Sequence, residues 1–310
     1  MTLGSALTLL QSAGELGLIS ALTVLALFLS YSMLNVCDLS TDGCFTLGAT
    51  VGAVVAIAGH PYLSIAAAMC AGIVSGFITA LLQTKMGINS LLAGIIVNTA
   101  LYSINIGVMG NSSVLNMNKT VTVFTKAQDL LKKVGMGGQF KLIVAAAAVL
   151  LVCLFLAFFL KTRLGLAIRA TGNNPDMVKS SSINPVFTTI VGLCIANSFT
   201  ALSGCLLAQS QKSVNIDIGT GMVTIALASL LIGGVFTSKR KIPVQIIGMV
   251  LGSFIFRLVY TVALRLDMPA FMLKFVSSVI VVIAISAPYL KQKMPLFKRR
   301  MSLRKERGTV

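Results

Sequence analysis

Long apolar stretches recur along almost the whole of this 310-residue chain. Each is long enough for an α-helix to cross the hydrocarbon core of a bilayer, which takes about 20 mostly apolar residues. Of all residues, 56% are hydrophobic and only 11% are charged. A soluble domain of this size needs more polar surface to cover its core, so much of the apolar material must face lipid. The sequence therefore predicts an all-α, polytopic membrane protein without a separate soluble domain.

Glycine, proline, asparagine or charged residues bound the apolar runs and divide them into nine predicted transmembrane helices. These are residues 16–36, 44–60, 62–82, 89–109, 141–160, 187–209, 221–237, 243–264 and 271–290. The turn at His60 and Pro61 is so short that the second and third spans must form a helical hairpin. All nine belong to a single transmembrane domain, residues 1–290, and a basic tail, residues 291–310, follows it.

The chain is strongly basic, with 25 lysines and arginines, 8 acidic residues and a net charge of +17. Because apolar spans dominate, we attribute this charge to contact with anionic membrane lipid rather than with nucleic acid. The tail alone carries eight basic residues, as cytoplasmic segments next to a span do. An odd number of spans then places the N-terminus outside. The other basic residues divide equally between the two faces, because five of them lie at 110–141.

An internal repeat is the second organising feature. Residues 38–43 (DLSTDG) resemble residues 217–221 (DIGTG), and each segment precedes an apolar span. Each unit continues through a turn with a proline, Pro61 or Pro243, into a span with two glycines four positions apart. These pairs are Gly72 with Gly76 and Gly248 with Gly252. Such pairs let helix backbones approach closely in lipid.

The two units, about 38–109 and 217–290, start from opposite faces of the membrane by the span count. The repeat is therefore predicted to be inverted. Inverted repeats are typical of transporters whose substrate pathway lies between the two units near mid-membrane. Chance similarity between glycine-rich apolar segments is the alternative.

Polar residues at or within the spans are candidates for lining such a pathway, because they are costly in lipid. Asn98 and Asn197 lie deep in their spans, although hydrogen bonding between helices explains such residues equally well. Asp38 and Asp217 occupy mirror positions in the repeat, near the membrane edges. They are expected either to cap the helices that follow or, with Ser40, to line the pathway.

Several function classes are excluded. The six cysteines form no CxxC pair and lie mostly in apolar stretches, which is typical of small buried side chains. A single histidine, His60, cannot build a metal or catalytic cluster. Residues 233–239 (GGVFTSK) lack the spacing of a phosphate-binding loop, and a glycine-rich helix contact is expected there instead. The chain is therefore predicted to be no enzyme and to bind no metal or cofactor itself.

The longest predicted cytoplasmic loop, residues 161–185, is not of low complexity. Pro175 can start a short helix with Asn173 or Asn174 as its cap, and Gly172 supplies a tight entry. A short helix held between two spans makes a rigid knob that can fit a groove in a partner. An ordinary basic loop is the alternative.

This loop, KTRLGLAIRATGNNPDMVKSSSINP, resembles the cytoplasmic coupling loop of ABC importer permeases of the ribose and branched-chain amino acid type. Two more segments resemble that family: Asp38-Leu39-Ser40, followed by an inserted Asp42, and Leu231-Ile232-Gly233-Gly234. A departure is Ser182, where the family usually has glycine. The coupling residues that the resemblance implies are Arg163, Gly165, Ala170, Gly172, Asn173 and Pro175.

The resemblance implies an inner-membrane importer built from two permease copies and two ATPase subunits, with an extracytoplasmic substrate-binding protein or lipoprotein. ATP and Mg would be bound by the ATPase, on which the coupling loop would dock. The resemblance favours an amino acid as substrate and leaves sugars and nucleosides open. A secondary transporter is the alternative, but ion coupling usually needs carboxylates buried in the spans, and all eight acids are predicted in loops or at span ends.

Overall fold

The computed structural model describes residues 3–132, 139–237 and 240–265, and six single positions between 272 and 286. This part of the chain is mostly helical. The α-helices are α1 (Leu3–Leu27), α2 (Thr41–Ile57), α3 (Pro61–Thr84), α4 (Ser90–Val108), α5 (Val123–Lys132), α6 (Phe140–Phe159), α7 (Arg163–Asn173), α8 (Pro175–Ser180), α9 (Pro185–Gln211), α10 (Met222–Thr237) and α11 (Ile242–Arg265). A π-helix, Phe28–Met33, extends α1, and a 3-10 turn, Ile216–Gly219, precedes α10.

Seven helical segments in the described residues are long and apolar enough to cross a membrane. They are Leu10–Met33, Pro61–Thr84, Ser90–Val108, Phe140–Phe159, Pro185–Gln211, Ile216–Val235 and Ile242–Ala263. Helix α2 is also apolar but shorter. The prediction of a polytopic, helical membrane protein is confirmed. The ninth predicted span, 271–290, lies outside the described residues except for the single positions.

A small sheet that the sequence did not predict joins two distant loops. Strand β1, Val114–Asn116, pairs antiparallel with β2, Ser213–Asn215, with Leu115 opposite Val214. We call the end of the bundle that carries this sheet the sheet end, and the end that carries α7 and α8 the loop end. Helix α5 also follows β1 at the sheet end.

Helix α9 forms the centre of the bundle and packs against α1, α2 and α3. In the most apolar part of α9, 78% of the residues are buried. In that of α6 only 22% are buried, although α6 is the more hydrophobic helix. Since Leu151 and Phe158 of α6 are 68% and 74% exposed, α6 presents a face suited to lipid. The more polar sequence of α9 fits its interior position, where neighbouring helices satisfy its side chains.

The two glycine pairs lie at close helix contacts, but with different partners. Gly72 and Gly76 of α3 face the backbone of α9, where an added Cβ would meet carbonyl oxygens. Gly248 and Gly252 of α11 face α10 instead, and a Cβ on Gly252 would meet the carbonyl oxygen of Ser229. In both places the missing side chain is what allows the helices to approach so closely.

Helices α1 and α9 each precede a helical hairpin in the chain, and each packs against the hairpin that follows the other helix. Helices α2 and α3 form one hairpin, and α10 and α11 form a second. Helix α1 precedes the first hairpin but packs mainly against α11. Helix α9 precedes the second hairpin but packs mainly against α2 and α3. The two parts of the chain are thereby interlocked.

Candidate functional site

Residues 34–40 are not helical and pass into the bundle rather than around it. Asp38, 2% exposed, accepts hydrogen bonds on Oδ1 from the backbone N–H of Ser40 (2.8 Å) and from its hydroxyl (2.6 Å). Its Oδ2 accepts from Nδ2 of Asn197 (2.9 Å), which lies near the middle of α9. The Thr79 hydroxyl of α3 donates to the Ser40 hydroxyl (3.3 Å). Both oxygens of this buried carboxylate are thus satisfied, as burial requires.

This placement corrects the prediction for Asp38. Asp38 lies inside the bundle rather than in a loop at a membrane edge. Its carboxylate accepts from the N–H of Ser40, which precedes the first residue of α2, so it does not cap the N–H groups of that helix. The reason is the non-helical segment 34–40, which carries Asp38 inward to Asn197. Asp217 does not cap α10 either, because it sits within the 3-10 turn, which Asn215 caps (3.2 Å).

The carboxylate that does cap a helix is Asp42, in the first turn of α2. It accepts from the backbone N–H groups of Gly221 (2.9 Å) and Val223 (2.8 Å) at the start of α10. A negative charge at a helix N-terminus is favourable because the N–H groups there lack partners within the helix. Gly219 packs against the backbone carbonyl of Asp42. The N-termini of α2 and α10 therefore meet within the bundle.

A cavity of about 360 Å³ opens beside this meeting point, between α2, α4 and the segment before α10. Asn105 is 1% exposed and its Nδ2 donates to the carbonyl oxygen of Gly43 (3.2 Å), but its Oδ1 has no hydrogen-bond partner within the described residues. A buried amide oxygen in that state is suited to a donor from a bound molecule. The lining residues are Asp42, Gly43, Thr46, Asn98, Thr99, Tyr102, Ser103, Asn105, Ile216, Asp217 and Thr220.

The structure brings the five pathway candidates into one region. Asn98 and Asp217 line the cavity itself. Asp38, Ser40 and Asn197 form the adjoining buried network. Its link to the cavity is the first turn of α2, whose Gly43 packs against the Asn98 side chain.

Sequence reasoning missed Asp42, Asn105 and Tyr102 as members of this site. Asp42 could have been chosen from the sequence, because it is the residue inserted after Asp38-Leu39-Ser40, a segment that otherwise resembles the permease family. Asn105 is visible in the sequence only as a polar residue within a predicted span, and Tyr102 carries no signal of its own.

The loop 161–185 folds into α7 and α8, and the predicted short helix is confirmed. Asn174 caps α8 by accepting from the N–H groups of Asp176 and Met177, both at 3.1 Å. The Thr171 and Thr188 hydroxyls are hydrogen-bonded (2.8 Å), which fastens α7 to α9.

Two glycines hold α7 against the transmembrane helices. Gly165 packs on the backbone of Leu160, and Gly172 packs on the backbone of Met33 and Leu34, at the end of the π-helix. Gly172 thus serves close packing rather than a tight turn. Residues 33 and 34 lead directly into the segment that carries Asp38. Helix α7 therefore contacts the chain just before the buried network of Asp38, Ser40 and Asn197.

The outer face of this loop is exposed. Arg163, Asn173 and Pro175 are exposed and Ala170 is half-buried. Large apolar side chains accompany them on the surface: Leu164, Leu166, Met177 and Ile183, which are 42%, 52%, 54% and 37% exposed. Exposed apolar side chains grouped on a short rigid loop are typical of a protein contact surface.

Multiple spans, helices that begin inside the bundle and a polar cavity between the helices are typical of a membrane transport protein. Residues 13–285 match the family described as branched-chain amino acid transport system / permease component. The chain belongs to this family and is a permease subunit of an ABC importer, a transport subunit of the inner membrane rather than an enzyme. The resemblance read from residues 161–185 is confirmed.

Curated relatives agree with this assignment. The tyrosine transport system permease protein of Clostridioides difficile (strain R20291) is 32% identical over 267 residues, which is 86% of each chain. The ribose import permease protein of Escherichia coli (strain K12) is 26% identical over 82% of this chain and 78% of the relative. The galactose/methyl galactoside import permease protein of Haemophilus influenzae is 28% identical over 62% and 56%. No solved structure gave a significant match.

Membership of this family implies that separate subunits bind ATP and capture the substrate. Permease components work with an ATPase that binds ATP and with a substrate-binding protein. Gly233, in the segment with some likeness to a phosphate-binding loop, packs against the backbone of Gly248 on α11. That contact is the glycine-rich helix packing expected from the sequence.

Proposed function

We propose that this permease imports an amino acid and that the 360 Å³ cavity is part of its pathway. The observation that carries the proposal is the cavity lining, where Asp42 and Asp217 lie near amide and hydroxyl groups. An amino acid carries an ammonium group, which carboxylates bind, and a carboxylate, which amide and hydroxyl donors bind. The unpaired Oδ1 of Asn105 adds an acceptor at the same place.

The relatives support the same substrate class. The tyrosine permease shares the highest identity of the three compared and covers the largest part of the chain. The ribose and galactose permeases favour a sugar as the second candidate, since hydroxyl and amide side chains also bind sugar hydroxyls. The two carboxylates favour the amino acid, because a neutral sugar gives them no charge to pair with. A nucleoside is disfavoured for the same reason.

We infer an alternating-access mechanism built on an inverted repeat within nine spans. The interlocked packing of α1 and α9 supports the repeat. So does the meeting of α2 and α10, which run from the bundle interior toward opposite ends. Helices that begin inside the membrane are a common feature of such repeats and often border the substrate site.

The loop end is proposed to face the cytoplasm, with the C-terminus cytoplasmic and the N-terminus outside. The basic tail supports this orientation. The sheet end would then face outward and receive the substrate-binding protein. Two copies of the permease are expected to form the complete transmembrane unit.

The exposed apolar face of α7 and α8 is proposed to dock in a groove of the ATPase dimer. Closure of the ATPase would push α7, and the packing of Gly172 on Met33 and Leu34 would pass that push to residues 34–40. Asp38 is bonded to Asn197 and Ser40, so the displacement would reach α9 and the start of α2. The cavity lies beside that start.

The test is uptake into proteoliposomes that contain the permease, its ATPase and its binding protein. ATP-dependent uptake of a labelled amino acid is expected, with labelled ribose left outside. Asp217→Asn removes one cavity charge and should reduce amino acid uptake at least about tenfold, because a hydrogen bond to a charged group contributes about 1.5–3 kcal/mol. Asp129→Asn, the same change at an exposed position of α5 outside the cavity, is the matched control. Ribose uptake without amino acid uptake would contradict the proposal.

A further inference from the structure

A second cavity, of about 490 Å³, opens at the loop end where α1, α6 and α7 meet the start of α11. Its walls carry four cationic side chains from three parts of the chain: Lys161, Arg169, Arg240 and Lys241. Among the described residues that line it, none is acidic. The ion pair of Asp176 at this end is made with Lys179 (3.5 Å), which is not a lining residue.

Four like charges around one cavity repel one another and create a strongly positive potential. An anion that enters the cavity removes this repulsion. Arginine is also suited to bind phosphate oxygens through two parallel hydrogen bonds. The chemistry of the walls therefore selects a phosphate-bearing anion.

The surroundings of the cavity indicate that this anion also carries apolar chains. Phe158, near the end of α6 and three residues before Lys161, is 74% exposed. Val244 and Ile247, in the first two turns of α11 after Lys241, are 43% and 59% exposed. Exposed apolar side chains of two transmembrane helices thus lie close in sequence to the cationic residues of the cavity.

We propose that this cavity binds the headgroup phosphate of an anionic phospholipid whose acyl chains lie along α6 and α11. Basic pockets between transmembrane helices at a membrane surface bind acidic lipid headgroups in this way. Arg169 belongs to α7 and Arg240 precedes α11, so the bound phosphate bridges the coupling loop and a transmembrane helix. The lipid would thereby stabilise the position of α7, a role separate from substrate transport.

The test uses the full-length permease in detergent, titrated with phosphatidylglycerol or phosphatidylcholine, with bound lipid counted by native mass spectrometry. Phosphatidylglycerol is expected to bind more tightly than phosphatidylcholine. The double variant Arg240→Gln/Lys241→Gln should weaken phosphatidylglycerol binding at least about tenfold, because each cation near anionic lipid contributes about fivefold. Arg169→Gln should weaken it by a smaller factor, and Arg169→Lys should retain most of it.

Lys179→Gln is the matched control, because it removes one charge at the same end outside the cavity. It should leave phosphatidylglycerol binding within about twofold of the unmodified protein, and melting temperatures in detergent check that every variant is folded. Equal weakening in Lys179→Gln and in the double variant would overturn the proposal. Equally tight binding of soluble glycerol phosphate would assign the cavity to a free phosphate ester instead. Unchanged lipid binding with lost capture of the ATPase subunit would assign it to an acidic protein surface.

Discussion

At the scale of single residues, the interior of this permease is organised by a few polar side chains among apolar helices. Asp38 and Asp42 lie four positions apart, yet one joins α2 to α9 and the other joins α2 to α10. Such side chains are costly in lipid unless they are hydrogen-bonded, so each fixes the position of its partners. The cavity lies where the two sets of bonds come together.

A double-mutant cycle measures the bond between Asp38 and Asn197. Asp38→Ala should destabilise the permease by about 1–3 kcal/mol, because it leaves the Asn197 amide and the Ser40 N–H unpaired. Asn197→Ala should have a similar effect, and the double variant should lose less than the sum. Thermal unfolding in detergent provides the measurement. Additive losses would show that the two side chains act independently.

Loss of the Asp42 carboxylate is predicted to release the start of α10. Asp42→Ala removes the acceptor for Gly221 and Val223 and should cost about 1 kcal/mol, as lost helix caps do. Asp129→Ala, at an exposed position of α5, is the control and should leave the melting temperature unchanged. Hydrogen exchange at Val223 should become faster in Asp42→Ala alone. Equal melting temperatures for the two variants would mean that the cap contributes nothing.

At the scale of helices, α9 is the element on which the rest is assembled. Glycines in α2 and α3 bring both helices to backbone contact with it, and the hydrogen bond between Thr171 of α7 and Thr188 of α9 ties the loop 161–185 to its first turn. Apolar surface provides little drive between helices in lipid, so these close contacts determine which helices meet. A shift of α9 must therefore move α2 and α3 as well.

The contact between α3 and α9 gives a matched pair of glycine variants. Gly72→Ala adds a methyl group that meets the backbone of Asn197, which must then move. We expect a loss of about 1–3 kcal/mol from this overpacking. Gly107→Ala adds the same group to α4 where nothing lies within 4 Å, so it should be neutral or slightly stabilising. Melting temperatures that fall equally in both would contradict the assigned packing.

The exposed apolar face of the loop 161–185 gives a prediction about assembly. Met177→Glu places a charge on the apolar face of α8 and should weaken co-purification of the ATPase by about tenfold or more, as loss of an interface anchor does. Val114→Glu puts the same charge on an exposed apolar site at the sheet end and should leave ATPase binding intact. Retention of the ATPase by Met177→Glu would place the docking surface elsewhere.

At the scale of the whole molecule, the sequence predicted the helices better than their starting points. Apolar runs located the seven membrane-length segments of the described residues and the shorter α2, because hydrophobicity is a local property. The inward course of residues 34–40 could not be read, because it depends on the bond between Asp38 and Asn197, 159 positions away. The pairing of β1 with β2 and the capping of α10 by Asp42 could not be predicted either, because they too join residues far apart in the sequence. Asn98 and Asp217, which line the cavity, could be chosen as candidates because polarity in or beside a span is visible locally.

Substrate protection of a cysteine at position 98 tests the central account most directly. The measurement is the rate at which a thiol reagent labels Asn98→Cys, in a Cys70→Ala background, in proteoliposomes with ATPase and binding protein. The account predicts that amino acid and ATP together slow this labelling severalfold and that labelling blocks uptake. Ile95→Cys on the exposed apolar side of α4 should show neither effect. A labelling rate at position 98 that substrate and ATP leave unchanged, with uptake intact after labelling, would show that the cavity is not the pathway.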